Sequence, residues 1–244
     1  MENSVEVINL SKSYGLKEAV KNINFEIKEN EIIGLLGPNG CGKTTTIGML
    51  LGLLKPSNGE IKINGMKIEE ERISILKKIN FISPYIELPK KLTVKQNLIV
   101  YGKLYNVKNL NRTIEYLSNK LRLGDLLSRI TGELSSGQKN RVSLAKALIN
   151  DPSILFLDEP TASLDPETGN YVRSFKEKIS EEKNMSILLA SHNMDEVKRL
   201  CKNVLMMKDG EIIDKGAPNE LIKKHGKTNL EEVFLKLNKV DDEF

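Results

Sequence analysis

Residues Gly37-Pro38-Asn39-Gly40-Cys41-Gly42-Lys43-Thr44 leave few folds open to this chain. Glycines at the first, fourth and sixth places let backbone N–H groups turn inward around an anion, an approach that side chains would block. Before them, Glu31-Ile-Ile-Gly-Leu-Leu36 reads as a buried strand; after them, helix-compatible residues run from Lys43 to about Leu51. Strand, glycine loop and helix in that order match the phosphate-cradling Walker A pattern in full. The helix N-terminus would add positive potential, Lys43 would neutralise the β and γ phosphates, and Thr44 would ligate Mg²⁺. Gly37 through Thr45 are therefore the candidate nucleotide contacts. A Gly-x-Gly-x-x-Gly dinucleotide loop is disfavoured, because Thr45 stands where its third glycine would be.

A magnesium nucleotide site needs carboxylates, and Ser153-Ile-Leu-Phe-Leu-Asp158-Glu159 supplies two at the end of an apolar run. Asp158 is the candidate Mg²⁺ ligand and Glu159 the candidate base that polarises a water. Adjacent residues on a strand point oppositely, so the two can divide these roles. Met185-Ser-Ile-Leu-Leu-Ala190 is a second continuous apolar run, with a polar helical segment between the two, as in a parallel sheet buried on both faces. Val5–Ile8 and Ile23–Ile27 alternate in part and predict antiparallel strands near the N-terminus, and Gly59–Gly65 predicts another strand. From about Tyr85 to Asn150 the chain turns Leu-, Lys- and Asn-rich, which predicts a mostly helical insert. In the tail, Leu230, Val233, Phe234 and Leu237 recur at helical spacing and should pack on the body or on a partner.

Composition narrows the partners. Lys and Arg number 37 against 33 Asp and Glu, and a net charge of +4 is too small to imply nucleic-acid binding by electrostatics alone. The longest apolar stretch, Ile47 to Leu54, is interrupted by two glycines and falls far short of the roughly 20 residues that span a bilayer. The N-terminus MENSVEV has acid where a secretory signal carries base, so a cytoplasmic location is expected. Cys41 and Cys201 lack metal-type spacing and read as reduced thiols, Cys41 as a small loop residue.

Between the two phosphate-site motifs lies Leu134-Ser135-Ser136-Gly137-Gln138, and this segment resembles the signature of the ATP-binding cassette (ABC) family. Lys139, Arg141 and the stripe Val142, Ala145, Leu148 support a helix starting there, whose N-terminus would face an anion. The resemblance implies that Ser135, Gly137 and Gln138 contact the γ-phosphate of ATP held by an opposite subunit, in a head-to-tail dimer with two ATP molecules at the interface. Ser163-Leu-Asp165 looks like the D-loop, His192 like the switch histidine that reaches the γ-phosphate, and Tyr14 like the aromatic that stacks on adenine. The similarity covers nearly all of residues 4 to 226. It implies an α/β P-loop NTPase fold with a mixed sheet, an antiparallel N-terminal β subdomain and a helical subdomain inserted at about 85–150. The nucleotide-binding domain would be 1–226, and 227–244 a helical tail.

This chain departs from the family at two places. Ser136 replaces the usual second signature glycine, a small-for-small change. The family also places a glutamine after the strand Ile79–Ile82, whereas this chain reads Ser83-Pro84-Tyr85, and Gln96 lies too far on to be its equivalent. A single cassette of this length resembles the ATPase half of a transporter whose integral membrane permease is a separate polypeptide. Leu92–Leu98 and Leu230–Leu237 look most like exporters of the ABC-2 type. An importer cassette, a soluble ABC ATPase acting on ribosomes or DNA, and a regulator that no longer hydrolyses are the alternatives. The soluble class is disfavoured by a single Walker A and by the lack of heptads or Cys clusters, the regulator by the presence of Glu159 and His192.

Overall fold

The computed structural model describes residues 2–83, 86–160 and 184–238. Strands β1 (Asn3–Tyr14) and β2 (Lys17–Lys28) pair antiparallel. They do so with one apolar face inward, Val5, Val7 and Leu10 on the first and Ile23, Phe25 and Ile27 on the second, all buried. With β4 (Asn58–Ile63) and β5 (Met66–Lys67) they form a four-stranded antiparallel sheet in the order β2-β1-β4-β5. The strand expected over 59–65 is thus a hairpin, with Gly65 at φ 74° in its turn.

A second sheet of six strands runs β10-β9-β3-β8-β7-β6. Its strands β3 (Ile32–Leu36), β6 (Ile79–Ile82), β7 (Ile154–Asp158), β8 (Ser186–Ala190) and β9 (Asn203–Lys208) are parallel. Only the edge strand β10 (Glu211–Gly216) is antiparallel, on β9. The continuous apolar runs follow from burial on both faces. Ile154 and Phe156 enter one core together with α1 (Lys43–Leu50) and the antiparallel sheet. Leu155 and Leu157 enter the other, shared with α3 (Val94–Leu104), α4 (Leu110–Leu121) and α5 (Ser136–Leu148). Each fully buried side chain of this size contributes about 1.5–3 kcal/mol.

The expected helical insert is therefore α3 to α5, with two short 3₁₀ turns between α4 and α5. Its first helix starts with a capping box in which Gln96 N donates to Thr93 Oγ1 at 3.2 Å and Thr93 N to Gln96 Oε1 at 2.8 Å. That use of Gln96 agrees with its placement outside the loop after β6. Past β8 come α6 (Met194–Leu200), α7 (Pro218–Lys224) and α8 (Leu230–Asn238); a short helix, α2 (Arg72–Leu76), precedes β6. In the tail, Leu230 and Val233 are buried in the same core as the insert, with Leu237 against it. Among the described residues no helix is long and apolar enough to cross a membrane.

Candidate functional site

Sheet order brings the site together. Strand β8 lies between β3 and β7, with Leu35 and Asp158 both paired to Ala190. The chain leaving the carboxyl ends of β3, β7 and β8 carries the glycine loop, Glu159 and His192 respectively. In open α/β sheets such an edge is where ligands bind.

The loop is moulded by its neighbours. A Cβ on Gly37 would lie 2.6 Å from the Met207 carbonyl oxygen, and Gly42, at φ 110°, has the Ala19 carbonyl 2.5 Å from where its Cβ would be. Only glycine tolerates both the crowding and the left-handed backbone at Gly42. Gly42 is also the N-cap of α1, with no side-chain cap, so the first N–H groups of this helix face the loop. Thr46 Oγ1 donates to the Gly42 carbonyl at 2.9 Å and fixes the first turn. Pro38 is half-buried while Asn39 and Gly40 are exposed at the tip. Cys41 is buried, and burial pushes its thiol up despite nearby Lys43, so it packs without being an active nucleophile.

Lys43 is buried and donates from Nζ to the Gly37 carbonyl at 2.6 Å and the Pro38 carbonyl at 3.0 Å. The loop's own carbonyl oxygens thus hold the ammonium against the glycine loop. Thr44 is exposed, and its Oγ1 donates to Asp158 Oδ2 at 3.4 Å; Thr45 follows, half-buried. Burial pushes the Asp158 carboxyl above the usual carboxylate range and neighbouring Glu159 adds to this, against the Thr44 hydrogen bond and Lys43. A hydroxyl and a carboxyl side by side are hard oxygen donors of the kind Mg²⁺ takes.

The two carboxylates diverge for a reason other than strand pleating. Strand β7 ends at Asp158, and Glu159 takes a left-handed φ of 51°, while its N–H donates to the Ala190 carbonyl at 2.8 Å. Such a backbone on a non-glycine residue costs on the order of 1–3 kcal/mol and tends to sit at functional sites. The turn aims the Glu159 carboxylate at His192, whose Nδ1 it contacts. The imidazole is otherwise open to solvent at 70% exposure, whereas the glutamate is 16% exposed.

Tyr14 ends β1 opposite Lys17, on the hairpin whose Ala19 backs Gly42. The residue is 50% exposed, with the Lys12 ammonium 5.2 Å from the ring centroid. Ser135 caps α5, accepting from Gln138 N at 3.3 Å, while Gln138 Oε1 accepts from Ser135 N at 3.0 Å. Ser135 and Ser136 are exposed and Gly137 is buried. Among the described residues these signature positions make no hydrogen bond to the glycine loop. Asp165 lies outside the described residues, as do Pro84 and Tyr85.

Two features were missed in the sequence. Asn140, one turn into α5, donates to the Pro160 carbonyl at 2.6 Å and ties the signature helix to the turn that carries Glu159. A cavity of about 180 Å³ opens beside this tie, lined by Ile82, Ser83, Ser136, Asn140, Glu159 and Pro160 among others. Asn140 stands between Lys139 and Arg141, outside the stripe Val142, Ala145, Leu148, so nothing in the local sequence marked it.

The ABC transporter family model matches residues 20–162. The ABC transporter ATP-binding protein NatA of Bacillus subtilis (strain 168) is 35% identical over 221 residues, 89% of each chain. A Nod factor export ATP-binding protein I of Paraburkholderia xenovorans (strain LB400) is 34% identical over 235 residues, 96% of this chain and 77% of that protein. A solved dimeric bacterial ABC transporter cassette superposes with a TM-score of 0.81 at 27% identity, over 87% of this chain and 98% of that one.

Proposed function

The chain belongs to the ABC transporter family, and from that premise we propose that it is the ATP-binding, ATP-hydrolysing subunit that energises export through a separate integral membrane permease. The observation that carries this reading is the meeting of Lys43, Thr44, Asp158, Glu159 and His192 at the carboxyl ends of β3, β7 and β8. Lys43 and the N–H groups of Gly40 to Thr45 would hold the β and γ phosphates, and Tyr14 would stack on adenine. The paired Thr44 hydroxyl and Asp158 carboxyl fit Mg²⁺, which when bound neutralises charge on the phosphates. Glu159 would accept the proton of the attacking water, and His192 would lie against the γ-phosphate. Ser135 and Gly137 would serve the ATP of a second cassette in a head-to-tail pair, and Asp165 would contact the facing site. Export rather than import is supported by the Nod factor export relative.

Such a subunit works on the inner face of the cell membrane, held there by its permease. Affinity purification of the tagged chain from membranes should recover an integral protein, and adding it back in vesicles should raise ATP turnover. Recovery of ribosomes or DNA in its place would overturn the proposal.

A further inference from the structure

The turn carrying His192 is braced from behind by a carboxyl that has no part in the scheme above. Glu196, in the first turn of α6, is 0% exposed. Glutamate is almost never fully buried unless it is partnered, so what it holds matters. Its Oε2 accepts from Ser191 Oγ at 3.1 Å, and Ser191 is itself buried. The same hydroxyl oxygen accepts from Asn193 N at 3.1 Å, and Asn193 Oδ1 caps α6 by accepting from Glu196 N at 3.0 Å. These three bonds close a ring through residues 191, 193 and 196, and His192 is the residue they straddle.

In an ordinary capping box the acid three residues into the helix bonds the N-cap N–H directly. Here the Ser191 hydroxyl stands between them, which draws the residue before His192 into the ring. The backbone on both sides of His192 is thereby fixed to a buried group, while its ring stays exposed and reaches Glu159. A short connection left unbraced would otherwise lose backbone freedom each time the ring took up that place. We infer that Glu196, acting through Ser191, is a positioning residue that presents the His192 imidazole to Glu159 and to the nucleotide. The inference rests on the part given to His192 in turnover, and its test separates the two.

The test compares Glu196→Ala, Glu196→Gln, Ser191→Ala, His192→Ala and the Glu196→Ala/His192→Ala double variant. Misplacement by about 1 Å can cost a hundred-fold, so Glu196→Ala should lower kcat by roughly ten- to hundred-fold, with ATP affinity held within about two-fold. Glu196→Gln, whose amide oxygen still accepts from Ser191, should recover most of the rate. The double variant should be no slower than His192→Ala alone; losses that multiply would place Glu196 in some other function and overturn the inference. A second readout needs no turnover. The chain has two histidines, so the imidazole ¹⁵N signals of His192 and His225 can be separated. Glu159→Gln should shift the His192 signals in the parent background but not in Glu196→Ala, while those of His225, beside Asp214, stay put. A full response in Glu196→Ala would refute the positioning role even if His192→Ala proved silent in kcat, a result that would count against His192 by itself. If Glu196→Ala does not fold, Ser191→Ala removes one hydroxyl and carries the same expectations for rate and signal.

Discussion

His192 Nδ1 touches Glu159 Oε2 across the ends of neighbouring strands β8 and β7, so the histidine and the candidate base are direct partners. A γ-phosphate would compete for the imidazole. In a Glu159→Gln background, where turnover should be slowed, MgATP should therefore move the His192 ring signals and MgADP should leave them near their nucleotide-free positions. Equal shifts with both nucleotides would mean that His192 does not sense the γ-phosphate.

Lys43→Ala removes the buried cation that now bonds the Gly37 and Pro38 carbonyls. Charge-assisted bonds of this kind are worth about 1.5–3 kcal/mol each, so ATP affinity should fall by at least about ten-fold. Titration with a fluorescent ATP analogue reads this directly; unchanged affinity would remove Lys43 from the phosphate site.

Gly42→Ala tests the loop without touching charge. At φ 110°, with the Ala19 carbonyl 2.5 Å from the new methyl, the loop must open or the β2 backbone must shift. Nucleotide binding should be lost while the far sheet edge remains folded, as hydrogen exchange at β6 and β7 would show.

Lys146 is buried in α5, donating to the Phe81 carbonyl at 3.1 Å and Asn80 Oδ1 at 3.4 Å, near the rings of Phe81 and Tyr101. Desolvation pushes its ammonium from 10.5 down to about 8. Between those values the unfolded chain binds more protons than the folded one, so this group's penalty is full below about pH 8, fades as pH rises toward 10.5 and is gone above it. Lys146→Met keeps the volume and loses the charge, and should stabilise the fold by about 1–3 kcal/mol at neutral pH. The gain should shrink between urea denaturation curves taken at about pH 7 and about pH 10.

On β10, Asp214 accepts from Lys224 Nζ and His225 Nε2, each at 2.6 Å, and pins the end of α7. Burial raises its carboxyl, yet these two bonds and the Lys215 N–H outweigh that and hold it below the usual range. A lowered folded value means stability that is present above the unfolded pKa of about 3.9 and lost as pH falls through the folded one. Asp214→Asn should cost about 1–3 kcal/mol at neutral pH, by the usual worth of bonds to charged groups, and the two proteins should converge in acid. Thermal melts at both pH values check it.

Much of this site could be read from the sequence because its parts are local. The glycine spacing before Lys43, the apolar run into Asp158 and the run before His192 each carry their own signal within about ten residues. Other parts depend on sheet order, which no short window contains. That β8 separates β3 from β7 and that Asn140 reaches Pro160 arise from packing, while the Ser191–Glu196 bond, though only five residues apart, carries no sequence pattern of its own. The pleat argument for Asp158 and Glu159 gave the right divergence through the wrong geometry, since a left-handed turn at Glu159 sets it. The tail stripe was legible as a packing face because Leu230 and Val233 recur at helical spacing.

In the proposed reaction Glu159 takes the proton from the attacking water. Measuring ATP binding, steady-state hydrolysis and sedimentation of Glu159→Gln in MgATP tests it most directly. The amide keeps the shape but cannot accept the proton, so turnover should fall by about 10²–10⁴-fold with affinity intact, and an ATP-bound dimer should accumulate. Hydrolysis within a few-fold of the parent, with no added dimer, would contradict the claim.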